Sequence, residues 1–346
     1  MKILVTGNLG YIGTVLSEEL SKKNYYFEGL DCGFYRDDLL EDPTKPIKQY
    51  ICDIRKVNEE MLSNIDVVVH LAGLSNDPLG EFETNLTNEI NLVSTIDLAN
   101  KAKKKNVKRF IYSSSQSMYG ISQTSDELDE YNSAKNPLTA YGITKWKSEQ
   151  EIMKLGDENF TVTALRFSTV FGGSPRLRCD IVFNNLLANA YTKKKIIIKS
   201  DGTPWRPILH VKDACDSIIA CIEAPKEIVN NKAYNVGINN GNYTVNELAN
   251  AVKKIIPESE IIYTNEHGND SRTYKVSFKR ILSELKDYYK PKYDLDLGGQ
   301  ELLNYFKKVK FTIDDLDGVK TIRLQKLRKL RKENIIDSKF YFNDNI

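Results

Sequence analysis

No stretch of this chain approaches the roughly 20 consecutive apolar residues that a membrane-spanning helix needs, so no membrane span is expected. Net charge is almost absent as well. Forty-nine Lys and Arg stand against 47 Asp and Glu, a formal +2, so no global field gathers nucleic acid or an anionic membrane, and any anion must be bound by local groups. Cysteine is sparse, odd in number and scattered: Cys32, Cys52, Cys179, Cys215 and Cys221 contain no C-x-x-C pair. That pattern excludes a zinc knuckle or a dithiol redox motif, and no metal is expected; it fits a reducing cytoplasm where thiols pack as small apolar groups. The opening MKILVTG enters an apolar run without the charged region, long apolar core and cleavage site of a secretory signal. A cytoplasmic protein is the expectation. Internal repeats and low-complexity linkers are absent too, which excludes a solenoid or a tethered array.

What the chain does have is length and alternation. At 346 residues it holds roughly two domains' worth of sequence and can bury a sizeable core. Short apolar runs, KILVT, YFEGLD, VVVHLAG, RFIYSSS and VTALRF, alternate with helical patterns over 11–23, 89–105 and 141–154. Strands alternating with helices predict a parallel sheet covered on both faces, an α/β protein of the Rossmann-type, doubly wound class. Residues 1–166, with 208–236 returning to them, are read as that unit. After Phe167 the pattern loosens into GGSPRLRCD and KSDGTPWRPILHVKD, so 167–207 and 237–310 are read as a smaller mixed α/β domain facing the substrate. Residues 311–346 form a basic C-terminal extension.

In VTGNLGYIG, Gly7, Gly10 and Gly13 lie between a strand and a helix. Glycine is needed there because the backbone must turn sharply and approach a pyrophosphate, whose charge the free N–H groups of the helix start accept; Tyr11 and Ile12 belong to the same cofactor-binding turn. Asp31 follows about 20 residues later at a strand end, where a carboxylate takes hydrogen bonds from a ribose and repels a 2′-phosphate. NAD is therefore expected over NADP, although a loop-starting aspartate has the same appearance. Further on, Tyr141 and Lys145 are four residues apart and share a helix face. An ammonium beside a phenol favours phenolate and a general base; in an arbitrary helix the same spacing is a surface pair.

The glycine turn, Asp31, CDIR at 52–55, HLAG at 70–73, SSSQSMYG and Y-x-x-x-K, in this order and spacing over roughly 1–310, resemble the extended short-chain dehydrogenase/reductase family, in its nucleotide-sugar epimerase/dehydratase branch. The resemblance implies a nucleotide-diphosphate sugar as substrate, NAD as cofactor, a homodimer, and a place in surface-polysaccharide precursor synthesis. It places Asp53 and Ile54 against the adenine, Leu71, Ala72 and Gly73 along the middle of the cofactor, and Ser113 on the cofactor side. It makes Ser115 the serine that holds the sugar hydroxyl, with Gln116 next to it on the substrate side. Tyr141 then removes the proton from a hydroxyl, usually at C4, as hydride leaves that carbon, while Lys145 holds the ribose. Return of hydride to the other face gives an epimer; release of the keto sugar makes a 4-dehydrogenase or 4-ketoreductase.

Two departures from the family pattern matter. Family 4,6-dehydratases carry an Asp-Glu pair after the active serine, where this chain has Gln116 and Ser117; an amide does not shuttle protons as a carboxylic acid does, so that elimination is not expected. Thr169 stands where the family commonly has Asn. Substrate contacts are expected from Thr169, from Arg176, Arg178, Asn184 and Asn185 in SPRLRCDIVFNNL, and from Arg206 and Arg272, whose guanidinium forks suit phosphate. His210 is read as structural. A catalytically silent NAD-binding scaffold or redox sensor is the rival reading, and the presence of both Tyr141 and Lys145 speaks against it. In RLQKLRKLRK, Leu324, Leu327 and Leu330 recur every three residues, predicting an amphipathic helix with a solvated basic face that packs on the body or across a dimer.

Overall fold

The computed structural model describes residues 1–122, 126–264, 266 and 273–343. The apolar runs become strands β1 (Lys2–Thr6), β2 (Tyr26–Asp31), β3 (Lys48–Ile51), β4 (Val67–His70) and β5 (Arg109–Ser115). The later strands are β6 (Glu127–Leu128), β7 (Thr161–Phe167), β8 (Thr169–Phe171), β9 (Lys195–Ile198), β10 (Trp205–His210), β11 (Lys232–Val236), β12 (Asn242–Thr244), β13 (Glu260–Tyr263) and β14 (Lys275–Val276). Seven of them form one parallel sheet in the order β11-β7-β5-β4-β1-β2-β3, the Rossmann-type α/β class expected from the alternation.

Burial on both faces explains the near-continuous apolar strands. Ile3 and Val5 face one core cluster with Leu16, Ile111 and Ile218, whereas Leu4 faces the other with Val68, Phe110 and Val162. The helices Tyr11–Lys22 and Val211–Glu223 pack together on one face, and Ser94–Lys104 with Ala140–Met153 on the other. β3 (KQYI) escaped the pattern because it is an edge strand with no fully buried residue, and edges tolerate polar residues that central strands do not.

The chain winds outward from β1 to β2 and β3, then crosses back to β4 on the other side of β1. That reversal opens a crevice at the carboxyl ends of β1 and β4, where ligands settle in open parallel sheets. A small sheet of β12, β10 and β8 and the pairs β13–β9 and β14–β6 lie beyond the main sheet. His210 is buried; its ring stacks on Tyr293 at 4.1 Å and meets Glu301 at 3.2 Å.

The C-terminal helix Arg323–Lys332 buries Leu327 and Leu330 in the cluster beneath Leu4 and Phe110. Arg328, Lys329 and Lys332 keep the expected exposed basic face, but the other basic residues depart from it. Lys326 pairs with Asp38 at 2.6 Å, Arg331 pairs with Glu83, and Arg323 is 7% exposed. Asp38, Glu83 and, for Arg323, the oxygens of Ser75 draw these cations inward, which the spacing of the leucines does not reveal.

Candidate active site

The turn after β1 enters the left-handed region at Gly7, φ +76°. A Cβ there would stand 2.7 Å from the Ala72 nitrogen, so glycine is required both by conformation and by the close approach of the segment after β4. A Cβ at Gly13 would lie 2.2 Å from the Gly7 carbonyl oxygen, which lets the helix start against the turn. That helix begins at Gly10 with no side chain on its first N–H groups, leaving donors for an anion. Asp31 flanks the turn, accepting from Leu9 N at 3.2 Å and Gly33 N at 2.8 Å. Burial raises its carboxyl above the usual range.

Beneath the turn, His70 ties the layers together: Nδ1 meets Thr6 Oγ1 at 2.7 Å and Nε2 meets Thr95 Oγ1 at 2.8 Å. Burial, and after it the charge of Lys145, pushes the imidazole down to about 3, so it is neutral at working pH.

A cavity of about 840 Å³ runs over the carboxyl ends of the strands. On the turn side it is lined by Gly7, Gly10, Tyr11, Ile12 and Gly13, by Asp31, Asp53 and Ile54, and by Leu71, Ala72, Gly73 and Ser113. Ser115, Tyr141 and Lys145 line the same cavity. Ser115 ends β5 and caps the short turn Gln116–Tyr119, its Oγ accepting from Ser117 N at 3.1 Å. Tyr141 and Lys145 are carried by Ala140–Met153, whose first turn is capped by Thr139 through Gly142 N at 3.1 Å.

Burial raises the Tyr141 phenol above its ordinary 10, and the Ser115 hydroxyl beside it works against that rise. Lys145 is 3% exposed, and burial brings its ammonium down to about 7. Its Nζ donates to the Ser113 carbonyl at 2.6 Å and lies 4.8 Å from the Tyr112 ring centre. In the resting protein, then, the lysine is held by β5, and the phenol is tuned by burial and by Ser115. Behind them Ser114 donates to Glu149 at 2.6 Å, and Glu149 pairs with the buried Arg166 at 2.6 Å, fixing the helix on the sheet.

The substrate-side expectations divide. Thr169, Arg176, Arg178, Asn185 and Arg206 line the cavity. Gln116 does not: its amide donates to the carbonyls of Arg166 (3.0 Å) and Val236 (3.2 Å), turned inward because the end of β7 and β11 offer those acceptors. Asn184 does not either. It is fully buried, accepts from Gly172 N at 3.0 Å and donates to the Arg178 carbonyl and the Tyr11 hydroxyl, a brace for the loop. Arg272 lies outside the described residues.

Sequence reasoning passed over Tyr35, Ser75, Asn76, Asp180, Arg323 and Leu324, which also line the cavity. Asn76 lies three residues after the glycine of HLAG and holds φ +119°, a costly backbone for a residue with a side chain, pinned by its bond to Asp180 at 2.8 Å. An Asn in such a loop was the available signal; for Arg323, inside a basic run, the sequence carried none.

A dinucleotide needs a side-chain-free cradle, an acceptor for ribose hydroxyls and donors for a pyrophosphate. The Gly7 cradle, Asp31 and the open helix start meet those needs, and the fully buried Arg176 keeps Nε and Nη2 without a partner among the described residues. Residues 3–237 match the model of the NAD dependent epimerase/dehydratase family. The chain belongs to that family. NAD is its cofactor, and its class is the NAD-dependent enzymes of nucleotide sugars, which spans epimerases, dehydratases and decarboxylases.

The UDP-glucose 4-epimerase of Bacillus subtilis (strain 168) is 29% identical over 301 residues, covering 74% of this chain and 82% of its own. The UDP-N-acetyl-alpha-D-glucosaminuronate decarboxylase of Bacillus cytotoxicus is 25% identical over 338 residues, 89% of this chain and 98% of its own. MoeE5, solved in complex with UDP-glucose and NAD, shares the fold with a TM-score of 0.77 at 24% identity, over 89% of this chain and 99% of its own.

Proposed function

We propose that this family member is a 4-epimerase of a nucleotide-diphosphate sugar, working through a 4-keto sugar that never leaves the site. The observation that carries the reading is the convergence of Ser115, Tyr141 and Lys145 on the cavity that also contains the glycine turn and Asp31. The position after Ser115 strengthens it: Gln116 is an amide with its side chain bonded to backbone carbonyls away from the cavity, so the acid–base pair that eliminates water has no counterpart there. The likeness to UDP-glucose 4-epimerase supports the same outcome.

Tyr141 is protonated at rest, because burial raises its phenol. Once that phenol has released its proton to solvent, the phenolate takes the C4 hydroxyl proton as that carbon is oxidised, and returns it when the carbonyl is reduced. Ser115 holds the same hydroxyl, which aligns the proton with the phenol. Lys145, brought down to about 7 by burial, bonds ribose hydroxyls and steadies the phenolate electrostatically once it forms. When bound, NAD supplies the two-electron acceptor and donor. Arg178 and Arg206 provide guanidinium donors for the substrate's diphosphate or for a carboxylated sugar. Tyr141→Phe keeps the ring and removes the proton acceptor, so turnover of the cognate sugar nucleotide falls by about 10²–10⁴ with the fold unchanged by circular dichroism. Turnover equal to that of the unaltered enzyme would end the proposal.

A further inference from the structure

The C-terminal extension lines the main cavity and a second cavity next to it. Ile322, Arg323 and Leu324 line the main cavity. After the helix Arg323–Lys332 the chain doubles back through an antiparallel bridge between Ile336 and Phe342. There Phe340, Tyr341 and Phe342 wall a second cavity of about 370 Å³, together with Cys52 and Asp53. Cys52 and Asp53 line both cavities, so the second cavity, walled by the extension, adjoins the main cleft at Asp53.

At the first contact, the buried Arg323 donates through Nη1 to Ser75 Oγ at 2.7 Å and through Nη2 to the Ser75 carbonyl, while Nε has no partner among the described residues. Arg176 donates through Nη1 to the carbonyls of Leu177 and Lys320, the latter on the extension itself, and leaves Nε and Nη2 unmet among the described residues. Arg178 pairs with Asp180 at 2.8 Å. These three neighbouring guanidiniums feel Asp180 and, at Arg176, Asp38, yet Arg176 and Arg323 retain buried donors with no hydrogen-bond partner among the described residues, an incomplete site whose missing member is an anion.

The surroundings indicate which anion. Ser174 is fastened to the helix that follows the glycine turn, donating to the Tyr11 carbonyl at 2.8 Å and sharing a hydrogen bond of 2.9 Å with Thr14, and Arg176 N donates back to Ser174 Oγ at 3.2 Å. This ties Arg176 to the open helix start. At the second contact, Tyr341 lies 3.9 Å over the Arg55 guanidinium, which grips Asp53 through bonds of 2.9 and 2.7 Å. Phe340 meets Phe34 and Phe82 at 6.3 and 6.1 Å.

We propose that residues 321–343 clasp the bound dinucleotide, with Arg323 and Arg176 donating to its diphosphate and Phe340 and Tyr341 closing the end of the cleft beside Asp53. The inference rests on NAD occupying this cavity and is independent of the fate of the sugar. A clasped cofactor dissociates slowly, which suits a cycle that reoxidises it in place.

The test uses the full-length protein stripped of nucleotide, titrated with NADH by fluorescence and then chased with excess NAD to time release; UDP binding is measured separately by calorimetry. Arg323→Gln is expected to weaken NADH about tenfold, the loss of a charge-assisted hydrogen bond, and Tyr341→Ala to speed NADH release several-fold, each with UDP affinity unchanged. Arg323→Lys, which keeps the charge at the wall, recovers part of the NADH affinity and separates the anion contact from general damage. If Arg323→Gln weakens UDP and spares NADH, the guanidinium serves the sugar nucleotide and the clasp is overturned. Unchanged NADH affinity and release in both variants overturns it equally. Failure of the unaltered protein to bind NADH would instead overturn the cofactor assignment beneath it.

Discussion

Acid should loosen this enzyme from beneath its glycine turn. His70 is fully buried between Thr6 and Thr95 and held neutral, its imidazole pushed down to about 3 by burial and then by Lys145. In the unfolded chain the same imidazole titrates near 6.5. Between these values the unfolded state binds the extra proton, so stability is intact above 6.5 and declines as pH falls through the window, by up to about 1.4 kcal/mol per pH unit and about 5 kcal/mol in all. Asp213 acts in the opposite sense. Burial raises its carboxyl to about 6, so the folded state keeps that proton longer and gains stability as pH falls from 6 toward 4. The two contributions overlap in the native protein, and a difference measurement separates them. Urea unfolding of the native protein and of His70→Gln at pH 7, 6, 5 and 4.5 is expected to show a stability advantage of the native form that shrinks below pH 6.5, approaching about 1.4 kcal/mol per unit. An advantage that stays constant from pH 7 to 4.5 would refute the reasoning, because it would mean that His70 takes its proton as readily in the fold as outside it.

Gly7→Ala places a Cβ 2.7 Å from the Ala72 nitrogen at φ +76°; it should weaken NADH binding more than tenfold and cost about 1–3 kcal/mol of stability, and unaltered fluorescence titration would contradict the cradle. Gln116→Glu would aim a carboxylate at two carbonyl oxygens; it should lower the melting temperature and yield no 4-keto-6-deoxy sugar by NMR, whereas dehydration by this variant would mean that the side chain reaches the substrate.

The central strands were legible because burial on both faces leaves an unbroken apolar run, and β2 and β5 coincide with YFEGLD and RFIYSSS. β3 was not, since an edge strand with half-exposed residues has no such run. In the candidate site, residues whose backbone or spacing carries the chemistry could be read directly: the glycines, Asp31, and Tyr141 with Lys145 all line one cavity. Side-chain direction could not. Gln116 and Asn184 sit beside cavity residues yet turn to backbone groups that only the fold brings near. Arg323 was hidden differently: within RLQKLRKLRK nothing marks one arginine for burial until Ser75, 248 positions away, comes into hydrogen-bond distance.

The central claim is chemistry confined to C4 with the cofactor restored in place. Its most direct test is incubation of the enzyme and NAD with UDP-, GDP-, CDP- and dTDP-sugars in deuterated water, followed by NMR of the recovered sugars. The account predicts one sugar nucleotide inverted at C4, no deuterium at C3 or C5, and no accumulating NADH. Deuterium at C3 or C5, loss of water or of a carboxyl group, or stoichiometric NADH with no epimer would contradict it.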